Sequence, residues 1–213
     1  MSDFFHQPLQ QPLAERLRPI TLSDVVGQSH LLGDDGPIRL MYDMARVHSM
    51  ILWGPPGVGK TTIARLLAEK SQAHLVSFSA IFSGVKEIRE AVNQAQSALN
   101  KGKSTVIFVD EVHRFNKAQQ DAFLPHVESG LFKFIGATTE NPSFEINQAL
   151  LSRSTVYTLK PLTDKALEQL IQRIMDLPEY ANLQLDQEII PSLVALADQD
   201  ARKLINAMER LLL

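Results

Sequence analysis

Gly54-Pro55-Pro56-Gly57-Val58-Gly59-Lys60-Thr61 decides how this chain is read. The stretch satisfies G-x-x-x-x-G-K-[ST] at every fixed position. It follows the apolar run Met50-Ile51-Leu52-Trp53 and precedes a segment with Ile63, Leu66 and Leu67 on one helical stripe. Strand, glycine-rich loop and helix is the context that the pattern requires. The glycines let the backbone curl so that its N–H groups face inward, and those donors, with the helix N-terminus, cradle phosphates. In that geometry Lys60 reaches the β- and γ-phosphates of a nucleoside triphosphate and the Thr61 hydroxyl ligates Mg²⁺. Gly54, Pro55, Pro56, Gly57, Val58, Gly59, Lys60, Thr61 and Thr62 are the expected nucleotide-binding set.

Further along, Val106-Ile107-Phe108-Val109-Asp110-Glu111 is an apolar strand ending in two carboxylates. Buried strands expel charge, so acids at a carboxyl edge point into the ligand crevice. Asp110 is expected to hold Mg²⁺ through its water shell, and Glu111 to polarise the water that attacks the γ-phosphate. Taken alone, a solvated strand end capped by acids reads equally well. The phosphate loop earlier in the same chain favours the catalytic reading.

Around these motifs apolar runs alternate with helical patterns. The runs are 50–53, 75–78, 105–109, 132–136 and 155–159. Between the second and third, residues 85–99 place Val85, Ile88, Val92, Ala95 and Leu99 on one stripe. Such alternation predicts an α/β fold, a five-stranded parallel sheet flanked by helices. Residues 33–37 read as a turn. After Pro161 the pattern turns helical over 163–175, 188–197 and 201–213, which predicts a small all-helical lid domain. The expected division is an extended N-terminal arm over 1–20, marked by Pro8, Pro12 and Pro19, an α/β domain over 21–160, and the lid over 161–213. The last helix runs into Leu211-Leu212-Leu213 without a stop signal, as expected of a piece of a longer protein.

Composition narrows the function further. The 213 residues are 45% apolar and 21% charged, the profile of a globular protein. With a net charge of −3 and no Lys/Arg block, nucleic acid is not held by bulk charge, which leaves a local basic surface or one built by assembly. There is no cysteine, which excludes disulfides, Cys-ligated zinc and thiol catalysis. His113 and His126 show no metal-ligand spacing and are expected to be structural. The N-terminal stretch lacks the pattern of a secretory signal, and no apolar run approaches the ~20 residues that span a bilayer. A cytoplasmic, nucleoid-associated protein without membrane contact is expected.

Asp110-Glu111, taken with Gly54-Pro55-Pro56-Gly57, resembles the AAA+ ATPases and, within them, the clamp-loader branch. The chain is similar to the replication-associated recombination protein A family, the bacterial relatives of Werner helicase-interacting protein. Four stretches carry the resemblance: Pro12-Leu13-Ala14-Glu15-Arg16-Leu17-Arg18-Pro19, Ser49-Met50-Ile51-Leu52-Trp53-Gly54-Pro55-Pro56-Gly57, Val109-Asp110-Glu111-Val112-His113-Arg114-Phe115-Asn116-Lys117, and Phe134-Ile135-Gly136-Ala137-Thr138-Thr139-Glu140-Asn141-Pro142-Ser143-Phe144-Glu145. It covers essentially the whole chain and implies an N-terminal fragment, since family members carry a further oligomerisation region.

The resemblance implies roles for other residues. Thr139 stands where sensor 1 touches the γ-phosphate or the attacking water, with Thr138 as the alternative. Arg153, in Leu151-Ser152-Arg153, corresponds to an arginine finger toward a neighbouring subunit's nucleotide. Arg202, in Asp200-Ala201-Arg202, corresponds to the sensor 2 arginine. A glycine is expected just before Asp200, and Gln199 in its place is expected to weaken the helix start. Val26 and Gly27, in Val26-Gly27-Gln28, are expected to pack around the adenine. Lys86 and Lys117 open two helices that, in clamp-loader relatives, track DNA phosphates along a central channel.

The implied function is an ATP-hydrolysing, Mg²⁺-dependent module of a DNA-remodelling protein acting in replication-fork maintenance, recombination and repair, stimulated by single-stranded or forked DNA. The implied assembly is a homo-oligomer, a tetramer by resemblance, with a single-stranded-DNA-binding protein as a further partner. The alternatives are a clamp-loader subunit or branch-migration motor, and a catalytically silent scaffold. Intact Lys60, Thr61, Asp110 and Glu111 argue against the last.

Overall fold

The computed structural model describes residues 11–180, 183 and 185–212. The reading of residues 1–10 as part of an arm, and of Leu213 as the end of a helix, falls outside the described residues.

Five parallel strands form one sheet: β1 (Met50–Trp53), β2 (His74–Ser79), β3 (Thr105–Asp110), β4 (Lys133–Thr138) and β5 (Thr155–Thr158). Their order across the sheet is β2-β3-β4-β1-β5. β4 therefore lies between β1, which feeds the phosphate loop, and β3, which carries the acids. The three inner strands are almost wholly buried, whereas β2 and β5 at the edges are half open to solvent. Parallel strands covered on both faces need continuous apolar runs, which β1 and β3 supply.

Side chains alternate between two apolar clusters, as a period of two demands. Met50, Leu52, Val106, Phe108, Ile135 and Ala137 enter one cluster. Ile51, Ile107, Val109 and Phe134 enter the other, with Phe123 packed on Phe134 at a ring separation of 5.0 Å.

Three short helices precede the sheet: α1 (Leu13–Arg16), α2 (Ser29–Leu32) and α3 (Pro37–Asp43). α4 (Lys60–Lys70) follows the phosphate loop and α5 (Val85–Asn100) joins β2 to β3. Between β3 and β4 the chain forms only short helices, among them α6 (Lys117–Asp121) and α7 (Leu124–Glu128), and no β-hairpin. α8 (Pro142–Glu145) and α9 (Gln148–Leu151) join β4 to β5. Then come α10 (Asp164–Met175), α11 (Ile190–Ala197) and α12 (Ala201–Leu212). Among the described residues after Pro161 there is no strand, and no described helix is long and apolar enough to cross a membrane.

Two expectations need correction. On α5 the buried stripe is Ile88, Ala91, Ala95 and Ala98, while Val85 and Leu99 are 49% and 51% exposed. Small alanines let the helix axis come close to the sheet, and that centres the contact one position away from the larger residues. The arm is also not extended throughout. From Pro12 it turns into α1, whose Leu13 is 1% exposed and packs near α12, and the Leu13 N–H donates to Glu209 Oε1 at 2.7 Å.

The helical segment shares one apolar cluster with the sheet. Leu159, Leu162, Leu167, Ile171, Leu204 and Met208 belong with Leu52 and Ala137 in it. Gln28 fixes the crossing between the two parts. Its amide donates to the Lys160 carbonyl at 2.7 Å and accepts from the Lys160 N–H at 2.9 Å. Gln28 is 5% exposed and sits at φ 58°, a left-handed conformation that a side chain tolerates only when its surroundings hold it there.

Candidate functional site

The phosphate loop is shaped by its glycines. Gly57 and Gly59 have φ of +70° and +103°, conformations closed to most side chains. Gly54 needs its lack of Cβ for another reason: a Cβ there would lie 2.5 Å from the Leu159 carbonyl oxygen. α4 begins at Lys60, directly behind Gly59. The Lys60 ammonium is buried and donates to the carbonyls of Gly54 and Pro55 at 2.7 and 2.8 Å. Burial lowers its pKa, against the opposing charges of Glu111 and Asp110. A cation already stripped of water and flanked by two acids is prepared to meet phosphate oxygens.

Asp110 ends β3 opposite Ser79, and its carboxylate accepts the Glu111 N–H at 3.1 Å. Glu111 adopts φ 53°, so the chain turns sharply there and carries the Glu111 side chain toward the end of β4. The two threonines at that end divide. Thr139 donates its hydroxyl hydrogen to Glu111 Oε2 at 3.4 Å. Thr138 is fully buried and bonds to the backbone of Glu140 and to His113. Of the two, Thr139 is the one whose hydroxyl faces Glu111.

Lys60, Thr61, Asp110, Glu111 and Arg202 line one cleft of about 360 Å³. Thr61 and Asp110 offer it one hydroxyl and one carboxylate. Such an all-oxygen set, leaving most positions to water and phosphate, suits Mg²⁺.

The helical segment closes the cleft from the other side. The Ala201 N–H donates to the Gly57 carbonyl at 3.2 Å. The Asp200 carboxylate accepts from the Arg202 and Lys203 N–H groups at 2.7 and 3.3 Å, capping α12. Gln199 is accommodated at this helix start at a cost in backbone strain, in the direction expected of a residue standing where a glycine was expected. It adopts the left-handed φ of 63° that the missing glycine would have taken, next to Asp198 at 47°. Each such residue costs on the order of 1 kcal/mol, and the cap and the buried cluster hold them. Arg202, in the first turn of α12, is thereby aimed at the phosphate loop.

The wall of the cleft contains residues that the sequence did not single out. Leu17, Arg18 and Pro19 from the arm line it, together with Val25 and Ile205, and they stand beside Val26, which the sequence did single out. This mostly apolar wall fits a nucleobase. Arg65 holds the Pro19 carbonyl and Arg173 the Asp24 carbonyl, which fixes the arm in place. The spacing of Leu13 and Leu17 by four residues after Pro12 was the signal available. Gly27 stands behind the wall: it does not line the cleft, and a Cβ on it would meet Leu162 at 2.9 Å.

Three predicted residues lie away from the cleft. Arg153 precedes β5, so it sits at the amino ends of strands whose carboxyl ends carry the phosphate loop. It pairs with Glu128 at 2.5 Å and donates to the Ala149 carbonyl at 2.8 Å. Gln120, 1% exposed, bonds Phe115, Glu145 and Asn147 and so fixes the turn into α9 ahead of Arg153. Lys86 and Lys117 open α5 and α6, beyond the carboxyl ends of the neighbouring strands β2 and β3. Lys86 is 81% exposed and 3.8 Å from Glu90.

Residues 50–162 match the ATPase family associated with various cellular activities (AAA). The chain is 48% identical over 202 residues to replication-associated recombination protein A of Haemophilus influenzae, covering 93% of this chain and 45% of that protein. It is 46% identical over 201 residues to the ATPase WRNIP1 of Dictyostelium discoideum, covering 93% of this chain and 23% of that protein. The chain thus spans less than half the length of these relatives. Among solved structures, the Thermotoga maritima RuvB Holliday junction branch migration motor superposes with a TM-score of 0.73 at 24% identity, over 91% of this chain and 64% of that one. That likeness is one of fold.

The packing of Asp200 against the phosphate loop leaves no room at Gly57, where a Cβ would lie 1.7 Å from Asp200 Oδ1. Gly57→Ala is expected to push α12 away from the loop and weaken ATP binding by at least about tenfold, since about 1.4 kcal/mol of lost contact gives that factor. Titration with a fluorescent ATP analogue checks it, and unchanged affinity would show that the contact does not shape the site.

Proposed function

The chain belongs to the AAA ATPase family, and from that membership we propose that it binds ATP with Mg²⁺ and hydrolyses it as the motor module of a DNA-remodelling protein in replication-fork maintenance, recombination and repair. The observation that carries the ATPase reading is the convergence of Lys60, Thr61, Asp110, Glu111 and Arg202 on one cleft. The DNA role is supported by the likeness to two relatives, 48% and 49% identical, each called replication-associated recombination protein A.

In this reading Lys60 exchanges its two carbonyl partners for phosphate oxygens, and Arg202 approaches the same phosphates from α12. Thr61 and Asp110 are the residues that would hold Mg²⁺, which would supply charge neutralisation. Glu111 takes the proton of the attacking water, and the Thr139 hydroxyl steadies the carboxylate. Lys60→Ala is expected to weaken ATP binding by loss of a charge-assisted contact, whereas Glu111→Gln keeps the shape, binds ATP and fails to hydrolyse it. Nucleotide titration and phosphate release separate the two, and turnover by Glu111→Gln at the parent rate removes Glu111 from its role.

Arg153 lies too far from the cleft of its own chain to serve it, which supports a finger acting on a neighbouring copy in a homo-oligomer. Fingers supplied in trans contribute on the order of 10³–10⁵ in rate. Mixing Arg153→Ala with Lys60→Ala full-length subunits should restore activity that neither has alone. No recovery in mixed oligomers shown to form would exclude the trans role.

For DNA, Lys86 and Lys117 repeated around an assembly would give a basic lining that the net charge of −3 per chain conceals. The double change Lys86→Glu, Lys117→Glu is expected to remove DNA stimulation of the ATPase and spare the basal rate. ATPase rate against forked-DNA concentration tests this, and an unchanged curve places the DNA elsewhere.

A further inference from the structure

His113 occupies the turn just after the two acids, and its side chain is only 6% exposed. Its Nδ1 stands 2.9 Å from Thr138 Oγ1 and 3.3 Å from Glu111 Oε2. An ionised carboxylate only accepts hydrogen bonds, so the neighbour at 3.3 Å favours the tautomer with its proton on Nδ1. Thr138 Oγ1 then accepts from Nδ1 and from the Glu140 N–H at 3.0 Å, and its own hydroxyl hydrogen is left for the Glu140 carbonyl at 3.3 Å. The same N–H therefore presents its positive end to Glu111 Oε2.

That carboxylate oxygen is bracketed. His113 approaches it from the turn and Thr139 from the end of β4. Glu111 Oε1 has no hydrogen-bond partner among the described residues. A carboxylate anchored through one oxygen has a defined rotation, and its second oxygen points in one direction. Glu111 itself sits at a left-handed φ of 53°, so its backbone does not by itself favour this placement.

We propose that His113 is a positioning residue for Glu111. Resting on the ATPase reading, the inference is that His113 and Thr139 together hold Oε2 so that Oε1 faces the attacking water. Thr138 in turn orients His113, which ties the rotation of Glu111 to the turn at Glu140 that leads into α8.

The test compares full-length wild type, His113→Leu, His113→Asn, Thr138→Val and Glu111→Gln. An asparagine can place its side-chain amide nitrogen near the position of Nδ1, whereas leucine cannot donate. His113→Leu should lower kcat on the order of tenfold to a hundredfold, the scale of a misplaced reacting group, with KM and ATP affinity within twofold. His113→Asn should recover most of the loss, and Thr138→Val should lower kcat in the same way. Thermal melting shows which variants keep the wild-type fold. Wild-type kcat in folded His113→Leu overturns the proposal. So does an equal loss in His113→Asn and His113→Leu, or a loss that appears in KM and affinity instead. If His113→Leu does not fold, Thr138→Val and His113→Asn decide on the same criteria. Absence of hydrolysis by wild type would overturn the ATPase reading itself, and hydrolysis by wild type but not Glu111→Gln confines any failure to His113.

Discussion

The bond from the Ala201 N–H to the Gly57 carbonyl, with Asp200 wedged beside it, joins the two ends of the functional chain. A single backbone hydrogen bond contributes only about 1 kcal/mol net. Its importance is geometric. It sets the start of α12 against the phosphate loop, and Glu209 of α12 then accepts the Leu13 N–H and so receives the arm. Three segments far apart in sequence meet around one cleft, and the buried cluster running from Leu52 to Met208 supplies the apolar contact that holds them.

Strand order supplies the second constraint. Because β4 lies between β1 and β3, whatever ends β4 stands between phosphate loop and acids. The chain puts two threonines there and uses them differently, one toward Glu111 and one toward His113 and the Glu140 turn. Adjacent residues at a strand end point to opposite sides, so one hydroxyl addresses the site while the other secures the scaffold behind it.

The phosphate loop, the acidic strand end and the strand–helix alternation were legible in the sequence because each is a local pattern with a local physical cause. The five strands follow from apolar runs that water excludes, and the loop from glycines that only a curled backbone needs. What was not legible depends on distant partners. Gln28 holds Lys160 across 132 positions, and His113 meets Thr138 across 25. No spacing announces such pairs. The expected stripe on α5 held at Ile88 and Ala95 but not at Val85 and Leu99, because periodicity ranks large residues first, while close packing on the sheet selects Ala91 and Ala98. Gln199 shows preference without requirement: a residue disfavoured at left-handed φ still adopts it when its neighbours fix the chain.

The placement of Arg153 at the opposite strand ends from the phosphate loop gives the chain a direction. Under the proposed trans role, each copy gives at one face and receives at the other, a head-to-tail contact. In a closed ring every cleft is then completed by a neighbour. In an open arc one terminal cleft always lacks its arginine and the other terminal arginine has no nucleotide to serve. Opening or closing the assembly would thus change the number of competent sites by one, whatever its size, without altering the structure of any subunit.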